Sequence, residues 1–188
     1  MSPVRTAMTR LLEQSGGVTL IPVDSPALVA LVAGWLAQKE NSQWLDFGDG
    51  QQDLTADRLQ IMTQHQAHLL RAFAVRGGGP PVGVVGLSEI NPQFKTARIW
   101  VVVGDKSFRA RGYGTQAVSA MLTLAFRDLQ LHAVNAWIVE GHPARRIAER
   151  LKFQLIGRRR QCHEIDGQPR DRLWFDILAP EHRGGSDA

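Results

Sequence analysis

The sequence predicts an α/β domain (α+β in detail) on one mixed, mainly antiparallel sheet flanked by about four helices. Three observations carry that prediction. Short apolar runs alternate with segments whose apolar residues recur every three or four positions. Clusters of Gly, Pro and Asn punctuate the boundaries between them. In the middle of the chain and at its end, apolar runs follow one another with only a turn between, which favours antiparallel pairing over long crossovers.

Residues 18–23 read as the first strand. Ser25 then stands as an N-cap with Pro26 at the first helical position, and Leu28, Leu31, Val32, Trp35 and Leu36 share one face. Residues 41–53, rich in Gly, Asp, Asn and Gln, read as a loop, although Trp44 and Phe47 within it need cover. Thr55 caps a second helix carrying Leu59, Met62, Gln66 and Leu69. Strands at 71–76 and 82–89 flank the turn at 77–81, and Asn91-Pro92 turns the chain into a strand at 97–104, completing an antiparallel meander. A long helix follows, with Val118, Met121, Leu122, Ala125, Phe126 and Leu129 on one stripe. Then come a strand at 134–139, a short helix from Pro143 to Leu151, and a hairpin of 154–164 and 170–178 around Asp166-Gly167. Residues 1–17 form an N-terminal extension and 181–188 a mobile polar tail, leaving 18–180 as the domain.

At 188 residues, 44% hydrophobic and 21% charged, the chain suits one domain with a substantial core. Its single cysteine, Cys162, allows no internal disulfide and no cysteine-rich metal site, so a reducing, cytoplasmic setting is expected. Residues 1–17 lack the apolar core of a secretory signal, and 27–36 are too short to span a bilayer, so no membrane association is expected. The net charge of +4 includes Arg158, Arg159, Arg160, Arg170 and Arg172. Strand alternation would send Arg158 and Arg160 to one face and Arg159 to the other, which argues against a continuous stripe for nucleic acid.

The most informative segment is 101–117, which reads as strand, basic loop, paired glycines and helix. Gly112 and Gly114 allow close backbone approach, Arg109 and Arg111 add positive charge, and the helix start supplies unpaired N–H groups and the positive end of its dipole. A polyphosphate is the ligand this combination suits. Gly112-Tyr113-Gly114-Thr115-Gln116-Ala117 satisfies the loose dinucleotide pattern G-x-G-x-x-G/A, with Glu140 ending the next strand. In a dinucleotide fold, however, the first glycine follows directly on the strand, whereas here the seven residues 105–111 intervene.

The better fit is to the GNAT superfamily of acyl-CoA-dependent N-acetyltransferases, whose signature Q/R-x-x-G-x-G/A is matched by Arg109-Ala110-Arg111-Gly112-Tyr113-Gly114. Val103-Gly104-Asp105-Lys106 together with 112–117 resembles the Rim-type branch, which includes ribosomal-protein and polyamine acetyltransferases. Leu151-Lys152-Phe153 stands where the family has L-G-F, and 156–171 resembles its closing hairpin. The resemblance implies acetyl-CoA as co-substrate, no metal, and a bulged strand at 99–104 splayed from 134–139 to admit pantetheine. It implies that backbone groups at Val102 and Val103 hold pantetheine and polarise the thioester carbonyl. It further implies that Arg109, Ala110, Arg111, Gly112, Tyr113, Gly114 and Thr115 hold the pyrophosphate.

An acceptor amine must lose a proton before attack, and Glu89, Glu140 and His142 are the candidates to take it, each ending or following a strand beside the expected splay. Two departures from the family stand out. Its usual tyrosine, which protonates the departing thiolate, falls on Ala148, and its pantetheine-binding asparagine falls on Gly141. Cys162 and His163 are the substitutes at hand, against a plain structural role for both. Two readings stand: an enzyme moving acetyl from acetyl-CoA to a primary amine by direct attack in a ternary complex, and an acyl-CoA-binding module with reduced catalysis. The acceptor is a small-molecule or peptide amine, and a homodimer is the assembly open to the chain.

Overall fold

The computed structural model describes residues 17–48 and 54–182. The expected extension at 1–17 apart from Gly17, the end of the expected loop at 49–53 and the end of the expected tail at 183–188 lie outside the described residues. The strands are β1 (Val18–Pro22), β2 (Leu69–Val75), β3 (Pro81–Asn91), β4 (Thr96–Val103), β5 (Ala133–Val139), β6 (Gln154–Ile165) and β7 (Gln168–Leu178). The helices are α1 (Pro26–Leu36), α2 (Lys39–Ser42), α3 (Ala56–Gln64), α4 (Tyr113–Arg127) and α5 (Arg145–Arg150). One sheet of order β1-β2-β3-β4-β5-β7-β6 holds all seven strands, and only β4 and β5 run parallel.

The sheet separates two cores because its side chains alternate. In β4, Ala97 and Ile99 join the cluster under α4 and α5, while Trp100 and Val102 join the cluster under α1 and α3. Met121, Leu122 and Ala125 bury the α4 stripe completely, and each such aliphatic side chain of full size contributes roughly 1.5–3 kcal/mol. The helix starts follow the predicted chemistry: Ser25 Oγ accepts from the Leu28 N–H at 3.3 Å, and Thr55 Oγ1 from the Arg58 N–H at 3.4 Å.

Several local expectations are corrected. The stretch read as a loop from residue 41 begins inside a helical turn, α2. Leu69 opens β2 instead of closing α3, because the chain leaves the helix at His65. Leu31 is 40% exposed, and Leu129 lies beyond the last turn of α4. The bulge expected in 99–104 sits instead in β3, where Glu89 and Ile90 oppose the single Ala97; β4 itself pairs in unbroken register with β3 from Arg98 to Val103. Simple alternation of the β6 arginines fails too, since the register jumps from Arg159↔Arg172 to His163↔Arg170 and leaves residues 160–162 bulged. No helix among the described residues is long and apolar enough to cross a membrane.

Candidate active site

The site grows from one interrupted ladder. β4 and β5 pair only across Thr96–Arg98 and Ala133–Asn135. Beyond that point β4 stays with β3 as far as Val103, and β5 stays with β7 as far as Val139, so the two strands diverge into a wedge. The splay expected from the sequence is present. Along residues 99–103, the backbone N–H and C=O groups that face β5 have no ladder partner there, and polar main chain that lacks one is available to a ligand.

Val102 and Val103 form the open end of this wedge, and the basic loop leaves from there. Gly104 is required by Trp35: a Cβ at 104 would lie 2.1 Å from the indole. Asp105 Oδ1 accepts from the N–H of Ser107 at 2.9 Å and from its Oγ at 2.7 Å, which fixes the following turn. Arg109 donates from Nε to the Val103 carbonyl at 3.3 Å and from Nη2 to Asn41 Oδ1 at 2.9 Å. Arg111 lies over the Phe108 ring at 5.6 Å, and Phe108 meets Tyr113 at 5.9 Å. Ala110 (φ 59°) and Gly112 (φ 84°) both adopt left-handed backbone, the glycine serving as N-cap of α4. The would-be Cβ of Gly112 meets nothing within 4 Å, whereas that of Gly114 would touch Ile147 Cδ1 at 3.3 Å and Val103 Cγ2 at 3.4 Å. Gly112 thus leaves room for a ligand, and Gly114 lets α4 close onto β4 and α5. The first turn of α4, with Thr115 in it, contains no acidic residue, so its free N–H groups and dipole suit a pyrophosphate.

The opposite face of the wedge is aromatic. Gly86 makes room for Trp100, since a Cβ there would lie 2.6 Å from its ring, and Phe47 packs edge-on against that ring at 5.5 Å. Trp44 lies 4.7 Å from His142. Trp137 carries the Arg172 guanidinium at 4.1 Å, and Arg98 stands 6.0 Å from the same ring. Trp100 Nε1 and Asn135 Oδ1, on the strands that border the wedge, are buried without hydrogen-bond partners.

Residues 39–48 form a strap across this end. One side holds the basic loop at 104–112, through Glu40 to Lys106 at 2.7 Å and Asn41 to Arg109. The other side holds the β6–β7 hairpin, through Lys39 to Asp166 at 2.5 Å, the Gln43 carbonyl to His163 at 2.7 Å and Asp46 to Arg172 at 2.8 Å.

Both histidines of the site are neutral, for stated reasons. His142 is pushed down to about 4 by burial and by the charge of Arg109. Its Nδ1 accepts from the Ala144 N–H at 3.1 Å, so the neutral ring carries its proton on Nε2. His163 is also held below its ordinary value, chiefly by burial. Its Nδ1 accepts from Arg172 at 2.8 Å, and its Nε2–H donates to the Gln43 carbonyl, so both ring nitrogens are occupied. That assigns His163 to structure, and Cys162, whose thiol donates to the Arg159 carbonyl at 3.4 Å, behaves likewise.

The three candidate proton acceptors are not together. Glu89 lies at the closed end of the wedge and pairs with Arg98 at 2.8 Å. Glu140 and His142 lie at the mouth, where Glu140 shares Arg158 with Asp171. Gly141 between them has φ 88°, a left-handed turn that glycine and asparagine both accept, so the chain keeps the turn and lacks the amide. Ala148 is 4% exposed within the larger core cluster. Sequence reasoning missed Glu40, Asn41, Asp46 and Arg172: they acquire their roles only where distant segments meet, and no local spacing marks them.

The family model for the acetyltransferase (GNAT) domain matches residues 18–154. A putative ribosomal N-acetyltransferase of Bacillus subtilis, YdaF, is 24% identical over 172 residues, covering 88% of this chain and 91% of the relative. Among solved structures, a spermidine N-acetyltransferase from Vibrio cholerae in complex with CoA and spermine superposes with a TM-score of 0.77 at 18% identity, covering 88% of this chain and 98% of that one. Mycobacterium smegmatis RimJ in complex with CoA-disulfide superposes with a TM-score of 0.73 at 21% identity, covering 89% and 85%. The wedge, the glycine loop at the start of α4 and the family match agree: this chain belongs to the GNAT family of acetyl-CoA-dependent N-acetyltransferases.

Proposed function

We propose that the chain moves an acetyl group from acetyl-CoA to the α-amine of a peptide or protein by direct attack in a ternary complex. The observation that carries the acceptor class is that Asp46, Glu89, Glu140, Asp166 and Asp171 are each paired with a lysine or arginine. A polyamine needs free carboxylates for its several ammonium groups. Deprotonating an amine of lysine type at neutral pH costs about 5 kcal/mol, against about 1 kcal/mol for an α-amine, so the α-amine needs little help from a base. Burial and the Arg109 charge, which keep His142 neutral, favour a neutral amine by the same physics.

In this reading Arg109, Ala110, Arg111, Gly112, Tyr113, Gly114 and Thr115 hold the pyrophosphate, and the backbone at Val102 and Val103 holds the pantetheine arm and polarises the thioester carbonyl. The co-substrate supplies the activated acyl group. His142 donates from Nε2 to substrate at the mouth, and Glu140, exposed beside it, passes the proton to water. Glu89 acts through Arg98 as a positioning residue. The 18–180 domain boundaries and a cytoplasmic setting belong to the same reading, the latter supported by the single free cysteine.

Thiol release from acetyl-CoA, measured with peptides bearing free N-termini and with spermidine, tests the acceptor. Peptides are expected to give the higher kcat/KM, and a higher value for spermidine would overturn the assignment. Gly112→Asp is expected to abolish CoA binding in calorimetry, with uncharged Gly112→Asn retaining most of it. Equal binding by both variants would remove the loop from the cofactor site.

A further inference from the structure

We propose that Glu40 is a cofactor-responsive positioning residue: its carboxylate and a pyrophosphate compete for Lys106 and Arg109, so uptake of acetyl-CoA frees Glu40 and loosens the N-terminal part of the strap at 39–48. The inference rests on the cofactor-loop reading above and goes beyond it.

The geometry is specific. Glu40 Oε1 lies 2.7 Å from Lys106 Nζ and 3.9 Å from Arg109 Nη2, so one carboxylate addresses both cations of the loop. Its bond to Lys106 keeps the Glu40 carboxyl below its ordinary value, so the group is anionic throughout the neutral range. These side chains are between 37% and 64% exposed, and exposed ion pairs are weak. A pyrophosphate brings more charge and more acceptor oxygens to the same guanidinium and ammonium groups, so it wins the exchange.

What makes the exchange consequential is the construction of the strap. Asn41 is a buried pivot: its Nδ2 donates to the Trp35 carbonyl at 2.8 Å, and its Oδ1 orients Arg109 whether or not Glu40 stays. C-terminal to the pivot, the Trp44 ring packs tilted against His142, and Asp46 reaches Arg172 at the hairpin. Releasing Glu40 therefore leaves the strap held by Asn41, which keeps its bond to Arg109, and by the hairpin contacts of Lys39, Gln43 and Asp46.

Calorimetry with CoA and amide hydrogen exchange test this without turnover. Glu40→Gln is expected to bind CoA about two- to fivefold more tightly, the range an exposed ion pair allows. Lys39→Ala, which cuts only the hairpin contact, is expected to leave CoA affinity unchanged. Exchange in residues 39–46 is expected to rise when CoA is added to the parent and to be raised already in Glu40→Gln. Equal or weaker CoA affinity in Glu40→Gln, or slower exchange in 39–46 of the parent on adding CoA, would overturn the proposal. If Gly112→Asp still abolishes CoA binding in that case, the cofactor loop stands and only the role of Glu40 fails.

Discussion

The guanidinium of Arg172 lies 4.1 Å from the centre of the Trp137 ring, and the two side chains are diagonal neighbours on one face of the β5–β7 ladder, where Trp137 opposes Trp174 and Val139 opposes Arg172. The same guanidinium donates to Asp46 at 2.8 Å and to His163 Nδ1 at 2.8 Å. One planar fork thus joins the aromatic face of the wedge, the strap and the hairpin. A lysine would keep the charge and lose the geometry.

Arg172→Lys is therefore expected to lower stability by about 1–2 kcal/mol, the combined loss of a desolvated cation–π contact and one charge-assisted bond. Urea unfolding checks it, with a lower midpoint at unchanged slope as the expected result. Because the strap is anchored at this residue, KM for the acceptor should rise more than KM for acetyl-CoA. An unchanged midpoint would show that the fork contributes only packing.

A second expectation concerns Lys152, which has φ 66° just beyond the end of α5. The Phe153 N–H reaches the Ala148 carbonyl at 2.9 Å and the Lys152 N–H reaches that of Glu149 at 3.2 Å, the paired bonds of a left-handed helix stop that favours glycine. Lys152→Gly should stabilise the fold by about 1 kcal/mol, or about 2–4 °C in Tm, because the strain removed exceeds the entropy glycine adds to the unfolded chain. Differential scanning calorimetry measures it. A lower Tm would mean that the lysine side chain contributes more than its backbone strain costs.

The contrast between these two residues shows what the sequence could reveal. Leu151-Lys152-Phe153 was legible as a family turn with the wrong central residue, because a helix stop is local and its chemistry lies in adjacent positions. The glycine loop, the caps at Ser25 and Thr55 and the order of elements were legible for the same reason. Arg172 and Asp46 lie far apart in the chain, and their pairing depends on how the strap crosses the sheet. Alternation also misled where register breaks: the β6 bulge at 160–162 and the β3 bulge at Glu89 are decided by tertiary fit. Trp44 and Phe47 read as either lining an acceptor pocket or capping the core, and in the structure they pack against His142 and Trp100.

The third expectation is acid lability centred on His142. In the unfolded chain its imidazole takes a proton near 6.5, and in the folded protein only at about 4, because burial and Arg109 oppose the charge. Between those values the unfolded state binds more protons, so stability rises with pH across the window and is lost as pH falls from about 6.5 toward 4. The conversion gives about 2 kcal/mol lost at pH 5 and about 3 kcal/mol at pH 4, with nothing lost above pH 7. His163 and His182, also lowered chiefly by burial, act in the same direction. His142→Asn removes the titration while keeping a polar side chain of similar reach. Urea unfolding at pH 7 and pH 5 should show a pH-dependent loss about 2 kcal/mol smaller in the variant than in the parent. The same loss in both proteins would show that His142 is already solvated in the folded state, and the neutral donor assigned to it at the wedge mouth would go with it.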